Sequence, residues 1–292
     1  MFDIQNKTPD GLNYELLKDS SEPLPQPERA STSGVWVAIA ALVVAAAIAA
    51  YFVFGRSRSN LSTGSGSQGP TASAAADRPL GGQATPIVVP PLEQTDPLVR
   101  ELVKQITSHP LAAAWLTTSG LIRNFALVLS NTADGRTPSR HLRPLRLNAP
   151  FQVINRGGRL AIDPSSFHRY DAVAAAAASI NPAGAARLYS TLKPRIEEAF
   201  RELGSPEPVD HALETVIVQL LQVPVVAEPI AVVPKGGTGY AFADPSLESL
   251  TSAQKQLLRA GPENVQTVQS ALRAIAVALG IPPARLPARR ST

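Results

Sequence analysis

The chain has 292 residues, with 27 Lys and Arg against 23 Asp and Glu, four His and no Cys. The absence of Cys excludes a disulfide framework and thiolate chemistry. The formal net charge of +4 is small, so the informative charge is local.

Residues 1–34 form an acidic tail punctuated by Pro23, Pro25 and Pro27, in which Lys7, Lys18 and Arg29 stand against six carboxylates, and this composition predicts disorder. Residues 35–54, VWVAIAALVVAAAIAAYFVF, are a 20-residue apolar run without a charge. At about 1.5 Å per residue such a helix covers roughly 30 Å, the thickness of bilayer hydrocarbon. The run therefore predicts one transmembrane helix, with Trp36 and Tyr51 near its ends and Arg56 and Arg58 closing it. A cleaved signal peptide fits worse, because an acidic tail precedes the run where a basic n-region would stand. Ala41, Ala45 and Ala49 recur every four residues and offer a face for a helix dimer, beside the plainer reading of an Ala-rich span. Near the run Lys and Arg tie, Lys18 and Arg29 before it and Arg56 and Arg58 after it, so the positive-inside rule leaves orientation open. A short tail inside and a periplasmic domain outside is the preferred arrangement, since long domains cross largely regardless of charge.

Residues 55–86 are mostly Ser, Gly, Ala, Thr and Pro, with Leu61 and Leu80 as their only large apolar side chains. They predict a flexible linker with a reach of about 30 Å. Residues 87–280 then show regular apolar periodicity and predict one compact domain, mainly α with two small β-hairpins. Residues 281–292 predict a basic disordered tail.

Within the domain, Asp96-Pro97 reads as a helix start, with Leu98, Leu102, Val103 and Ile106 on one face and Pro110 as the stop. Residues 112–131 predict helix broken near Gly120. Strands at 151–154 and 160–162 flank Asn155-Arg156-Gly157-Gly158 in a hairpin pattern. Asp163-Pro164 and Asn181-Pro182 open further helices, the second running to about Leu203 with a kink at Pro194 and an end at Gly204. A helix marked by Val209, Leu213, Val216 and Leu220 follows, and then a second hairpin at 230–233 and 240–242. Asp244-Pro245 starts a helix, Thr251-x-x-Gln254 reads as a capping box, and Gly261-Pro262-Glu263 begins a last helix that ends before Gly280.

No catalytic, cofactor or metal signature emerges. In the loop Lys235-Gly236-Gly237-Thr238-Gly239 the Lys comes first and a strand follows, which is a hairpin turn and not a phosphate loop at a helix mouth. His109, His141, His168 and His211 stand at no metal-ligand spacing. Ser166, His168 and Asp171 supply the residue types of a hydrolase triad, but on one helix His168 and Asp171 would be neighbours while Ser166 points elsewhere. Glu197, Glu198 and Glu202, interleaved with Arg195 and Arg201, describe a solvated helix face.

Residues 123–169 are the strongest charge feature, with eight Arg (Arg123, Arg136, Arg140, Arg143, Arg146, Arg156, Arg159 and Arg169) against Asp134 and Asp163. Guanidinium forks favour bidentate contacts with carboxylate or phosphate. Arg136, Arg140, Arg143, Arg146, Arg156 and Arg159 are accordingly the candidate surface for an anionic polymer, lipid headgroup or acidic protein, against the plainer reading of scattered solvated charges and internal ion pairs. Nucleic acid is a weaker fit, because no aromatic interleaving accompanies the charge.

LIRNFALVLSNTADG (121–135), LRPL (142–145), FHRYDAVAAAAASI (167–180) and GYAFADPSLESLTSAQKQLLRAGPENVQTVQSALR (239–273) together resemble an uncharacterised bacterial family described only as a domain of unknown function. The resemblance spans about residues 87–280 and is most specific at 253–264, where Ala260 departs from the Met usual in the family. It implies an N-terminally anchored, single-pass protein of the bacterial envelope, and it carries over no activity, cofactor or site; the expected location is the inner membrane. Read together, span, linker and Arg-rich segment predict a non-enzymatic interaction domain tethered in the envelope. A cell-envelope hydrolase and a cytoplasm-facing binder of nucleic acid or anionic lipid are the alternatives.

Overall fold

The structure, a computed structural model, describes residues 79–82, 87–137, 147, 149–227, 229–236 and 239–288. The acidic tail, the apolar run with Ala41, Ala45 and Ala49, most of the linker and residues 289–292 lie outside the described residues. Among those described, no helix is long and apolar enough to cross a membrane.

Nine α-helices and two hairpins make up the domain in the described residues: α1 (Asp96–Lys104), α2 (Pro110–Trp115), α3 (Leu121–Ala133), β1 (Val153–Arg156), β2 (Arg159–Ile162), α4 (Asp171–Ala178), α5 (Pro182–Glu202), α6 (Val209–Leu221), β3 (Val232–Lys235), β4 (Gly239–Phe242), α7 (Pro245–Glu248), α8 (Ser252–Leu258) and α9 (Pro262–Ala278). A 3-10 segment, Pro164–Tyr170, leads into α4. The long helix α5 packs against α3 and α9, α6 contacts both of those, and α4 lies along α9. Leu188, Leu192, Ile196 and Phe200 of α5 meet Leu121, Ile122 and Phe125 of α3 in one continuous apolar core. Within it, Trp115, Phe125 and Leu192 help line an apolar gap of about 20 Å³.

Most expected helix starts are formed by side-chain caps. Asp163, Asn181 and Asp244 each accept from a backbone N–H two or three residues on, and Thr251 with Gln254 closes a reciprocal capping box. Asp96 behaves differently. A 3-10 turn at Leu92–Gln94 runs directly into α1, so Thr95 is already helical and becomes the cap residue. The Asp96 carboxylate is thereby freed to cross to another element, where it accepts from Gly120 N–H and Leu121 N–H, both at 2.8 Å, and caps α3. Arg100 joins this junction by donating to the Leu116 and Thr118 carbonyls at the end of α2. Pro110 does not stop a helix; α1 ends at Lys104, and Pro110 opens α2 behind a His109 cap. Helix α5 runs on through Pro194 to Glu202.

Both hairpins form, each closing tighter than expected, since β3 and β4 take in Lys235 and Gly239, which pair at the end of the second. Gly157 and Gly158, at φ 59° and 82°, make a two-residue turn, so Asn155 and Arg156 belong to β1 and not to a loop. A bridge between Ala161 and Ala231 and the bond from Ile162 N–H to the Ile230 carbonyl join the two hairpins. Antiparallel pairing at that bridge makes both tips point the same way.

The domain also reaches beyond the expected boundaries. Residues 79–82, read from sequence as linker, dock on α5 and α6: Leu80 is 8% exposed, its N–H donates to Asp210 at 3.3 Å, and Gly81 N–H donates to the Leu279 carbonyl at 2.9 Å. A side chain at Gly81 would meet the Ala186 carbonyl oxygen at 2.5 Å. Asp210 also accepts from the Tyr189 hydroxyl and from Lys193, and burial followed by that bond pushes the Tyr189 phenol far above its usual range. Past Gly280, where sequence places the boundary, Ile281 and Leu286 are buried, Arg273 donates to the Pro287 carbonyl and Arg285 pairs with Glu214. Apolar burial of Ile281 and Leu286 and these two polar contacts together hold the segment on the domain despite its basic composition.

Candidate functional site

The Arg-rich segment divides into several environments. Arg140, Arg143 and Arg146 lie outside the described residues. Arg123 is committed: it donates through two nitrogens to Glu202 and through one to Glu93. The Glu202 bond, then the Glu93 bond, holds the guanidinium charged, and both carboxyls are drawn below their usual range by the same hydrogen bonds. Glu198 likewise pairs with Arg195 at 2.7 Å, so this acidic face is an ion-paired surface.

Arg136 is 71% exposed with Asp134 at 3.6 Å, a loose contact. Arg156 and Arg159 are cross-strand partners at the tip of the first hairpin. Directly opposed side chains share one face about 5 Å apart, and like charges there repel. Both are exposed, and neither has an ion pair or a side-chain hydrogen bond among the described residues. Lys235, at the tip of the neighbouring hairpin, is 67% exposed and lies 3.4 Å from Glu248. Its place at a strand end fits the hairpin-turn reading of its loop, of which Gly237 and Thr238 lie outside the described residues.

The triad residue types do not assemble. Ser166 is buried, and its hydroxyl accepts from Gln152 N–H at 2.8 Å and donates to the Gln152 carbonyl at 3.2 Å, tying the hairpin to the 3-10 turn. His168 and Asp171 meet at 2.9 Å on open surface, 77% and 57% exposed. Burial pushes the Asp171 carboxyl up, but hydrogen bonds from Asn264 and His168 outweigh it and hold the group below its usual range. Among the described residues no group of His, Asp and Glu could hold a metal ion.

A second centre was not singled out from sequence, although its residues lie in the strings that carry the family resemblance. Tyr170 is fully buried. The Arg169 guanidinium lies 5.3 Å from the Tyr170 ring centroid, with Nε and Nη1 buried and without an acceptor. Arg259 on the end of α8 stacks 5.2 Å from the Phe242 ring. Burial pulls the Arg259 pKa down, opposed by the nearby Tyr170 and Glu248. Glu248 is itself engaged: it accepts from Lys255 at 3.1 Å, Phe242 N–H at 3.1 Å and Lys235 at 3.4 Å. Beneath, Asn264 donates to the Phe167 and Ala260 carbonyls and to Asp171. Gly261, at φ 83°, lets Phe167 close in, since a Cβ there would lie 2.4 Å from Phe167 Cγ. A buried donor without an acceptor costs about 1–3 kcal/mol, more when charged, so the Arg169 edge is an unresolved demand. Segments some seventy to ninety positions apart meet here, and nothing local in any of them marks the meeting.

The fold defines a mainly α protein with two small antiparallel hairpins. The chain belongs to the family described as a protein of unknown function (DUF3014), whose model matches residues 121–276, a shorter stretch than the 87–280 read from sequence. No curated protein and no solved structure matches it.

Proposed function

We propose that this chain is a non-enzymatic interaction domain, tethered to the bacterial inner membrane by one span and meeting an anionic partner through exposed arginines. The carrying observation is the Arg156 and Arg159 pair, two like charges opposed on a hairpin tip with no counter-ion among the described residues. Such a pair opposes local folding, and an anion brought from outside would relieve it. The apolar run at 35–54 and the linker behind it support the tether, and the size of the domain favours the periplasmic side. An acidic protein, a lipid headgroup or a wall polymer each supplies the required charge. The hydrolase alternative loses its ground because the Ser166 hydroxyl is engaged by Gln152.

Cross-linking in native membranes followed by affinity purification tests this reading, with R156S/R159S as the comparison. The wild type recovers an anionic partner and the double variant loses it while keeping its melting temperature. Recovery that is equal in both, or no recovery from the wild type, refutes the role of the tip.

A further inference from the structure

The Tyr170 centre has an excess of positive charge and a shortage of acceptors. Arg169 lies over Tyr170 and Arg259 lies over Phe242 within electrostatic reach of Tyr170 and Glu248, while Lys235 and Lys255 meet Glu248, and Glu248 and Asp171 are the carboxylates. Asp171 is engaged by Asn264 and His168, and Glu248 by two lysines and a backbone N–H. Neither arginine gains an ion pair or side-chain hydrogen bond from any described residue. Stacking on Tyr170 and Phe242 addresses guanidinium charge through the ring faces. It leaves the Arg169 Nε–H and Nη1–H, directed in the guanidinium plane and buried, without an oxygen.

We propose that the Tyr170 centre is a binding site for a phosphate-type oxyanion, held between the guanidiniums of Arg169 and Arg259. Two forks delivered from different elements suit a tetrahedral group with several acceptor oxygens, and four cations against two engaged carboxylates suit a doubly charged one. Free phosphate and the phosphoryl group of a lipid share this chemistry. The site uses none of the hairpin-tip arginines, so it stands or falls apart from the proposed interaction surface.

The test is thermal unfolding of the full chain in maltoside micelles, followed by tryptophan fluorescence, in phosphate against chloride at equal ionic strength. The wild type unfolds several degrees higher in phosphate. R169Q and R259Q lose that difference, R156Q/R159Q retains it, and R169K, which keeps the charge but neither the planar stacking nor the fork, retains only part. No phosphate-dependent rise in the wild type overturns the proposal whether or not the variants fold. An equal rise in R169Q also overturns it, as general salting-out. An R169Q chain too unstable to melt cooperatively passes the decision to R259Q and R169K, where an undiminished rise in both is the contrary result. Soluble dioctanoyl phosphatidic acid, a phosphomonoester like free phosphate, against dioctanoyl phosphatidylcholine separates the sources: a larger rise with the anionic lipid than with free phosphate assigns a headgroup, and the reverse assigns free phosphate.

Discussion

Asn264 Nδ2 donates to Asp171 Oδ1 at 2.9 Å across 93 positions of sequence. The same amide group donates to the Phe167 and Ala260 carbonyls at 3.1 Å each, so one buried side chain fastens α9 to the 3-10 turn and to the start of α4. Replacing it with Ala strands two buried carbonyls. We expect Asn264→Ala to cost about 2 kcal/mol in urea unfolding. Asn264→Asp should cost more, because it sets a second carboxylate beside Asp171 and turns a donor into an acceptor. Unchanged midpoints in both variants would remove the fastening role.

Gly261→Ala tests the close approach of Phe167. The residue sits at φ 83°, and an added Cβ would lie 2.4 Å from Phe167 Cγ. Backbone strain and the clash together predict a loss of about 3 kcal/mol. Phe167→Leu in the same chain should recover part of it, as coupled neighbours do. Circular dichroism melts of the single and double variants check both statements.

Leu80 and Asp210 bind the end of the linker to the domain. Asp210→Asn leaves the donors of Lys193 and Tyr189 poorly matched and should cost about 2 kcal/mol. Gly81→Val should release residues 79–82 without unfolding the core, because the clash is with the Ala186 carbonyl and the displaced strap is short. Hydrogen exchange would then show lost protection at Leu80 and Gly81 alone. Loss of protection throughout α5 and α6 would mean that the strap is integral to the core.

Glu248 gives the fold an acid limb. Burial pushes its carboxyl up, but the Phe242 N–H and Lys255 bonds prevail and hold the group below the usual glutamate range. A depressed folded pKa means a contribution present above the unfolded value, about 4.3, and lost as pH falls through the folded value. We expect Glu248→Gln to melt below the wild type at neutral pH, with the gap closing on acidification below about pH 4. A gap independent of pH would show that packing and not ionisation is at stake.

Topology is checked by reporter fusions after Thr292. Alkaline phosphatase should be active and green fluorescent protein dark, the pattern for a tail inside and a domain outside. The opposite pattern would place the arginines in the cytoplasm and restore nucleic acid or inner-leaflet lipid as the partner class.

Local chemistry made much of the fold legible. Asp163-Pro164, Asn181-Pro182, Asp244-Pro245 and the Thr251/Gln254 box mark helix starts because capping donors and acceptors lie within three residues of each other. The period-2 runs around Gly157-Gly158 mark a hairpin for the same reason, a short range in sequence. What tertiary structure alone decided is where polar side chains spend their bonds. Asp96 looks like the cap of its own helix and caps α3 instead. Arg123 looks like part of a free basic segment and is engaged by Glu93 and Glu202. Arg169 and Arg259, ninety positions apart, become neighbours of one buried Tyr170 only when α8 and the 3-10 turn pack together. A side chain's partner depends on which faces meet in space, and apolar periodicity fixes which face is buried without naming what lies against it.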